Sequence, residues 1–263
     1  MNKKEPILDV KNISMHFGGL KAVDKLSLQV YPDEIVALIG PNGAGKTTFF
    51  NCITGIYEPT LGDVFVLRDG KKRRLNGLKP NKVTELGLAR TFQNIRIFSN
   101  MTVLENVMVG RHCRTKSWVI GAILRDKKTR QEEIETIEYS YNLLEKLDLH
   151  KFANEMAKNL PYGAQKKLEI ARALATDPVL LLLDEPAAGL NPQETSELKD
   201  IINKIKEEEK ISILLIEHDM KLVMNISDRV YVMESGRLLA QGTPREISQN
   251  PEVIKAYLGE EHA

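Results

Sequence analysis

The sequence has little that would place the protein outside the cell or in contact with nucleic acid. Its 263 residues include only two cysteines, Cys52 and Cys113. That is too few for a disulfide framework or a cysteine metal site, and it suits a reducing compartment. Neither sign of charge dominates, with 37 Lys and Arg against 36 Asp and Glu, so nothing points to nucleic acid as a partner. No apolar run approaches the ~18 residues that span a bilayer. Residues 1–6 are short and charged, without the apolar stretch of a secretory signal. Internal repeats and low-complexity linkers are also lacking. These absences predict a soluble, intracellular protein whose membrane role, if it has one, comes through a partner. The basic run Lys71-Lys72-Arg73-Arg74 after Asp69-Gly70 reads as a solvated hairpin tip. The length supports a large core, either one unit with an inserted lobe or two small domains.

What is present starts with Gly40-Pro41-Asn42-Gly43-Ala44-Gly45-Lys46-Thr47, which fits the phosphate-loop pattern G-x-x-x-x-G-K-[ST]. Ile35-Val36-Ala37-Leu38-Ile39 before it is unbroken apolar sequence, as in a strand buried on both faces of a parallel sheet. Residues 47–54 after it carry Phe49, Phe50 and Ile53 at helical spacing and stop at Gly55. Strand, glycine loop and helix make an anion site. Loop N–H groups and the helix N-terminus supply partial positive charge, and Lys46 supplies a full one. The pattern implies a nucleoside triphosphate.

A second anchor is Val179-Leu180-Leu181-Leu182-Leu183-Asp184-Glu185-Pro186, a hydrophobic strand ending in two carboxylates. Asp184 is placed to hold Mg²⁺, directly or through a water. Glu185 leaves the strand on the opposite side, where it can orient and deprotonate a water for in-line attack on the γ-phosphate. Positioned bases contribute about 10²–10⁴ in rate. Pro186 biases Glu185 toward extended geometry.

Between the anchors the chain is far longer than one strand–helix crossover needs. Most of the excess reads as helix, at residues 103–111, 128–147 and 165–176. In the second of these, Ile134, Ile137, Tyr141, Leu144 and Leu147 form one packing face. Strands resume at 179, 211–216 and 229–234, and 229–234 with 237–241 reads as a hairpin around Ser235-Gly236. Gln93 sits where the core hands over to the helices, so its amide could reach Mg²⁺ or the attacking water. His218 follows the strand 211–216 and could hydrogen-bond the γ-phosphate, because ligands bind at the carboxyl ends of such strands. Leu160-Pro161-Tyr162-Gly163-Ala164-Gln165 precedes a helix and offers a further N-terminus to an anion.

Together these residues resemble the ATP-binding cassette family, the ATPase subunits of ABC transporters, over nearly the whole chain. The resemblance implies an α/β fold: a P-loop NTPase core with a mixed, mainly parallel sheet, an antiparallel β subdomain and an inserted α-helical subdomain. Residues 1–92 and 164–263 would form the core and 93–163 the helical subdomain. It implies ATP and Mg²⁺ as ligands. Glu185, His218, Gln93 and Lys46 would be catalytic, and Thr47, Gln93 and Asp184 would hold the metal. Nucleotide contacts would come from Phe17 against the adenine, Gly40, Pro41, Asn42, Gly43, Ala44, Gly45, Lys46, Thr47 and Thr48. Tyr162, Gly163, Ala164 and Gln165 of the signature motif would add theirs across a dimer.

Arg90-Thr91-Phe92-Gln93-Asn94, Met101-Thr102-Val103-Leu104-Glu105-Asn106-Val107, Ala187-Ala188-Gly189-Leu190-Asn191-Pro192 and the tail from Asn250 to Glu260 are similar to the larger ATPase of branched-chain amino acid importers. That branch implies a hydrolase at the cytoplasmic face of the membrane. Its partners would be two permease subunits and a second ATPase, or itself, with an extracellular binding protein contacted indirectly and no nucleic acid. Phe98, Met101, Val103 and the run 118–124 are the candidate permease contact. Lipopolysaccharide-exporter ATPases and soluble ABC proteins are the alternatives. Two departures stand out: Pro161 where the family signature has Ser, and Asn191 where the family usually has Asp. Pro161 has neither hydroxyl nor N–H, which favours a heterodimer whose partner keeps the serine.

Overall fold

The computed structural model describes residues 5–114 and 127–258. The apolar run 118–124 and the tail residues Gly259 and Glu260 lie outside them. The chain divides into two compact units, 1–90 with 179–263 and 91–178.

In the first unit, strand β3 (Ile35–Ile39) is buried at every position, as are β7 (Leu180–Asp184) and β8 (Ser212–Ile216). Unbroken apolar sequence of this kind is what a strand covered on both faces needs. They form a six-stranded sheet in the order β10-β9-β3-β8-β7-β6, with β6 at Leu88–Arg90, β9 at Arg229–Glu234 and β10 at Arg237–Gly242. All pairings are parallel except β9–β10. That hairpin turns through Ser235 and Gly236, both at positive φ, as tight two-residue turns require. An antiparallel sheet, β2-β1-β4-β5, completes the unit, from β1 (Leu8–Phe17), β2 (Leu20–Val30), β4 (Leu61–Arg68) and β5 (Lys71–Arg74).

The inward residues Leu8, Val10 and Ile13 share one core with Phe49 and Phe50 of the helix Lys46–Ile53 and with Leu38 and Leu214. Each such side chain contributes about 1.5–3 kcal/mol by burial, so the helix behind the glycine loop is firmly seated. The basic run 71–74 is the edge strand itself rather than a free tip. Lys72 pairs with Asp9 at 2.7 Å and Arg74 with Asp63 at 2.6 Å, and charge on an edge strand discourages edge-to-edge pairing.

The second unit is helical. The helix Val103–Arg111 opens with a capping box between Thr102 and Glu105 and packs against the helices Lys127–Lys146 and Tyr162–Leu174. A Cβ on Gly110 would lie 2.3 Å from the Arg172 carbonyl oxygen, so the first and last of these helices approach closely there. For that reason Tyr162–Leu174 groups with the inserted unit. The division expected at 163/164 falls at 178/179, and the one expected at 92/93 at 90/91.

The stripe on the helix 127–146 is only half a packing face. Leu144 and Leu147 are buried, whereas Ile134, Ile137 and Tyr141 are 49, 38 and 39% exposed. Burial begins at Ser140, where the helix meets its neighbours.

Candidate functional site

The sheet register brings the chemistry to one edge. Ile216 of β8 stands opposite both Leu38 of β3 and Asp184 of β7. The residues that follow these three, Gly40 onward, Glu185, and Glu217 with His218, therefore emerge side by side at the carboxyl ends of adjacent parallel strands. That edge is where open α/β sheets bind ligands.

The loop after β3 is shaped by backbone that only glycine tolerates. Gly40 has φ 151 and Gly45 φ 98. A Cβ would lie 2.1 Å from the Met233 carbonyl oxygen at Gly40 and 2.3 Å from that of Ala22 at Gly45. The loop closes through Ala44 N–H to the Pro41 carbonyl at 3.2 Å. Lys46, 6% exposed, curls over it and donates to the carbonyls of Gly40 and Pro41. The helix starting at Lys46 has no side-chain cap, so its first N–H groups face the loop with their partial positive charge. Thr47 is exposed in its first turn and Thr48 half-buried. A cavity of about 630 Å³ flanks the loop between Ser235, Glu252 and Lys255. Pro41, Asn42, Gly43 and Ala44 line it, whereas Asp184, Glu185 and His218 do not.

Asp184 is 3% exposed, and its Oδ2 accepts from Arg90 Nη2 at 2.7 Å. The same guanidinium donates through Nη1 to Asn51 Oδ1 at 2.7 Å and Thr54 Oγ1 at 3.2 Å. One buried arginine thus ties β6, the end of β7 and the phosphate-loop helix together. In the sequence Arg90 reads only as part of the motif Arg90-Thr91-Phe92-Gln93-Asn94. Its register opposite Leu182, two residues before Asp184, is the signal that could have found it.

Glu185 adopts φ +48, contrary to the extended geometry expected before proline. The turn prevails over the proline preference: Glu185 N–H donates to the Ile216 carbonyl at 2.9 Å, and its own carbonyl accepts from Ala188 N–H at 3.1 Å. Glu185 Oε1 lies 2.7 Å from His218 Nε2. With the carboxylate ionised, the imidazole is the donor. His218 is 42% exposed at its side chain and Glu185 15%. Behind them Glu217 is buried, and accepts from Ala187 N–H at 2.7 Å, His218 N–H at 2.9 Å and Asp219 N–H at 3.3 Å. Burial pushes its carboxyl above the usual range. The nearby charge of Glu185 adds to this, and the three N–H groups oppose it.

Phe17 ends β1 half-exposed, in edge-to-face contact with Tyr57 at 5.4 Å between ring centroids. Among the described residues no three His, Cys, Asp or Glu cluster as a ready-made metal site. One carboxylate and one hydroxyl, Asp184 and Thr47, is a donor set that suits Mg²⁺, which takes few protein ligands alongside substrate phosphates.

Gln93 and residues 160–165 are set by contacts inside the second unit. Gln93 is exposed, and its carbonyl accepts from Lys166 Nζ at 3.1 Å. Glu169, 2% exposed, accepts from the main-chain N–H of Phe92 at 3.4 Å and Arg96 at 3.2 Å. Both side chains belong to the helix Tyr162–Leu174, so that helix fixes the main chain around Gln93. Pro161 is its N-cap without a side-chain bond. Tyr162 is 46% exposed, Gly163 buried, and Gln165 Nε2 donates to the Leu160 carbonyl at 2.9 Å.

Residues 23–188 match the sequence profile of the ABC transporter family. The chain belongs to that family. ABC transporter ATP-binding proteins are ATPases, and this one is accordingly a nucleotide-binding ATP hydrolase. A second profile, described as branched-chain amino acid ATP-binding cassette transporter, matches residues 237–263. The chain is 50% identical over 256 residues to the high-affinity branched-chain amino acid transport ATP-binding protein LivG of Escherichia coli K12, covering 97% of this chain and 99% of LivG. It is 49% identical over 255 residues to BraF of Pseudomonas aeruginosa, a protein of the same description, covering 97 and 98%. The crystal structure of an ABC transporter's ATP-binding cassette in its ADP conformation superposes with a TM-score of 0.83 at 33% identity, covering 97% of this chain and all of that one.

In this ABC ATPase the Asn191 departure has a local account. Asn191 Oδ1 accepts from Glu194 N–H at 3.0 Å while Glu194 returns a bond to Asn191 N–H at 2.9 Å, a capping box for the helix Pro192–Glu209. Asn caps about as well as Asp.

Proposed function

We infer that this ABC ATPase energises the uptake of branched-chain amino acids, working at the cytoplasmic face of the membrane on two permease subunits and fed indirectly by an extracellular binding protein. The observation that carries the cargo is the near-full-length identity to LivG and BraF, together with the tail profile over 237–263. Among the described residues no helix is long and apolar enough to cross a membrane. Half-exposed Phe98 and Met101 would be part of the permease contact, whereas Val103 is buried.

ATP is the substrate. Its phosphates fit the cradle of Gly40, Pro41, Asn42, Gly43, Ala44 and Gly45, where the helix N–H groups, Lys46, Thr47 and Thr48 meet anionic oxygens. Phe17 offers its exposed ring to the adenine, a stack worth ~1–3 kcal/mol. Asp184, Thr47 and Gln93 are the residues that would hold Mg²⁺, which when bound neutralises charge on the β- and γ-phosphate oxygens. Glu185 orients a water in line with the γ-phosphorus and takes its proton as the bond to the β-γ bridging oxygen breaks. His218, whose Nε2–H rests on Glu185, turns that N–H to the γ-phosphoryl group when ATP is bound. The second half of each composite site comes from the opposing ATPase. Tyr162, Gly163 and Ala164 of this chain would serve the partner's ATP through backbone N–H groups and Gln165, whose N–H is bonded to the Pro161 carbonyl, through its side chain; Pro161 has no hydroxyl to give, and a heterodimer follows.

Glu185→Gln in the purified, assembled transporter tests the core of this reading. Nucleotide affinity should stay within about twofold while turnover falls by about 10²–10⁴. Near-normal steady-state hydrolysis would remove Glu185 from the base role.

A further inference from the structure

We propose that Glu217 is a positioning residue for hydrolysis: its buried carboxylate fastens the turn carrying Glu185 to the loop carrying His218, and so sets the Glu185–His218 contact. The proposal rests on the roles given above to Glu185 and His218, and adds a residue to which those roles assign nothing.

The geometry is specific. A carboxylate is an acceptor-only group with two oxygens, and Glu217 divides them between two loops. Oε1 takes Ala187 N–H at 2.7 Å, and Oε2 takes His218 N–H at 2.9 Å and Asp219 N–H at 3.3 Å. At 3% exposure such a charge is tolerated only because it is hydrogen-bonded. A carboxylate serving only to end its own strand needs no bond to Ala187, thirty positions away in sequence.

The place where that bond lands matters. Ala187 lies two residues after Glu185, whose φ of +48 is a conformation a non-glycine residue holds only when its surroundings impose it. Glu217 is part of what imposes it, alongside the main-chain bond from Glu185 N–H to Ile216. The same carboxylate fixes His218 at its own N–H, so both ends of the 2.7 Å Glu185–His218 contact are referred to one buried group. Its hydrogen bonds go to Ala187, His218 and Asp219 and none to residues 40–48, so removing it should spare the phosphate loop.

The test uses the full-length chain assembled with its permeases and the second ATPase, with ATP and Mg²⁺. Glu217→Ala should lower kcat by about 10- to 100-fold, the scale of a misplacement near 1 Å. Affinity for a fluorescent ATP analogue should stay within about twofold. Glu217→Gln should fall between, since its amide oxygen can accept from one loop but its NH₂ cannot accept from the other; it also stands in if the alanine variant fails to fold. In a cycle with His218→Ala, the double variant should be no worse than the poorer single variant by more than about twofold. A kcat within twofold of wild type in both Glu217 variants, or losses that multiply with His218→Ala, would overturn the proposal. Normal turnover in Glu185→Gln would overturn the base assignment and this proposal with it, whereas an inactive Glu185→Gln beside normal Glu217 variants would overturn this proposal alone.

Discussion

Arg90→Met isolates the energetics of the buried frame around Asp184. The wild-type pair joins Nη2 to Oδ2 at 2.7 Å with side chains only 7 and 4% exposed, so the guanidinium is shielded from the screening that makes surface pairs weak. Methionine roughly keeps the length of the side chain and its packing near Phe50, whose ring centroid is 5.5 Å from the guanidinium. It removes the charge facing Asp184 and the donors to Asn51 and Thr54. Breaking a buried ion pair from one side costs about 3–5 kcal/mol, a large share of the roughly 5–15 kcal/mol that holds a typical domain. Urea unfolding at pH 7, followed by circular dichroism, measures the loss. Adding Asp184→Asn removes the stranded charge, and the double variant should regain about 1–2 kcal/mol over Arg90→Met. Nucleotide binding titrated against Mg²⁺ should also need more cation in Arg90→Met, because Asp184 loses its fixed orientation. A loss under about 1 kcal/mol, or strictly additive single effects, would refute the reasoning.

Gly45→Ala should abolish nucleotide binding measured by equilibrium titration, since φ +98 and a Cβ 2.3 Å from the Ala22 carbonyl oxygen force the loop open; retained affinity would mean the cradle is not where phosphates sit. Burial raises the Glu169 carboxyl, with the N–H groups of Arg96 and Phe92 and the charges of Arg172 and Lys166 opposing. A raised folded-state value adds stability at low pH that is lost as pH climbs past the ordinary glutamate value of ~4.3. The stability of the wild type relative to Glu169→Gln should therefore decline from pH 4.5 toward neutrality, and a difference that grows with pH would count against it. Cysteine placed at Phe98 or Met101 should crosslink to cytoplasmic loops of the permeases in the assembled transporter, and crosslinks arising only from the turn at Ser235 would move the contact elsewhere.

The legible parts of this protein were those written in contiguous residues. The phosphate loop needs its glycines, lysine and threonine within eight positions, and the central strands announce themselves as unbroken apolar runs, so both could be read directly. Arg90 and Glu217 could not, because a charged residue beside a motif reads as surface until the register shows what faces it. Glu185 misled for a different reason: the local rule about residues before proline is weaker than the hydrogen bonds that hold the turn, from Glu185 N–H to the Ile216 carbonyl and from Ala188 N–H to the Glu185 carbonyl. The stripe on the helix 127–146 predicted its own spacing correctly but not where its neighbours stop, which left Ile134, Ile137 and Tyr141 exposed. The inserted unit ended later than expected because the helix Tyr162–Leu174 packs on Val103–Arg111, a long-range preference with no sequence punctuation. Cys52 is a buried free thiol, pushed up to about 12 by burial and so inert.

The most direct test of the central claim is uptake of radiolabelled leucine, isoleucine and valine by cells in which this chain is replaced by Glu185→Gln. The account predicts that uptake of all three through this system stops, although the variant is present, binds ATP and remains with its permeases. Uptake at the wild-type rate with the variant assembled in the transporter would contradict it.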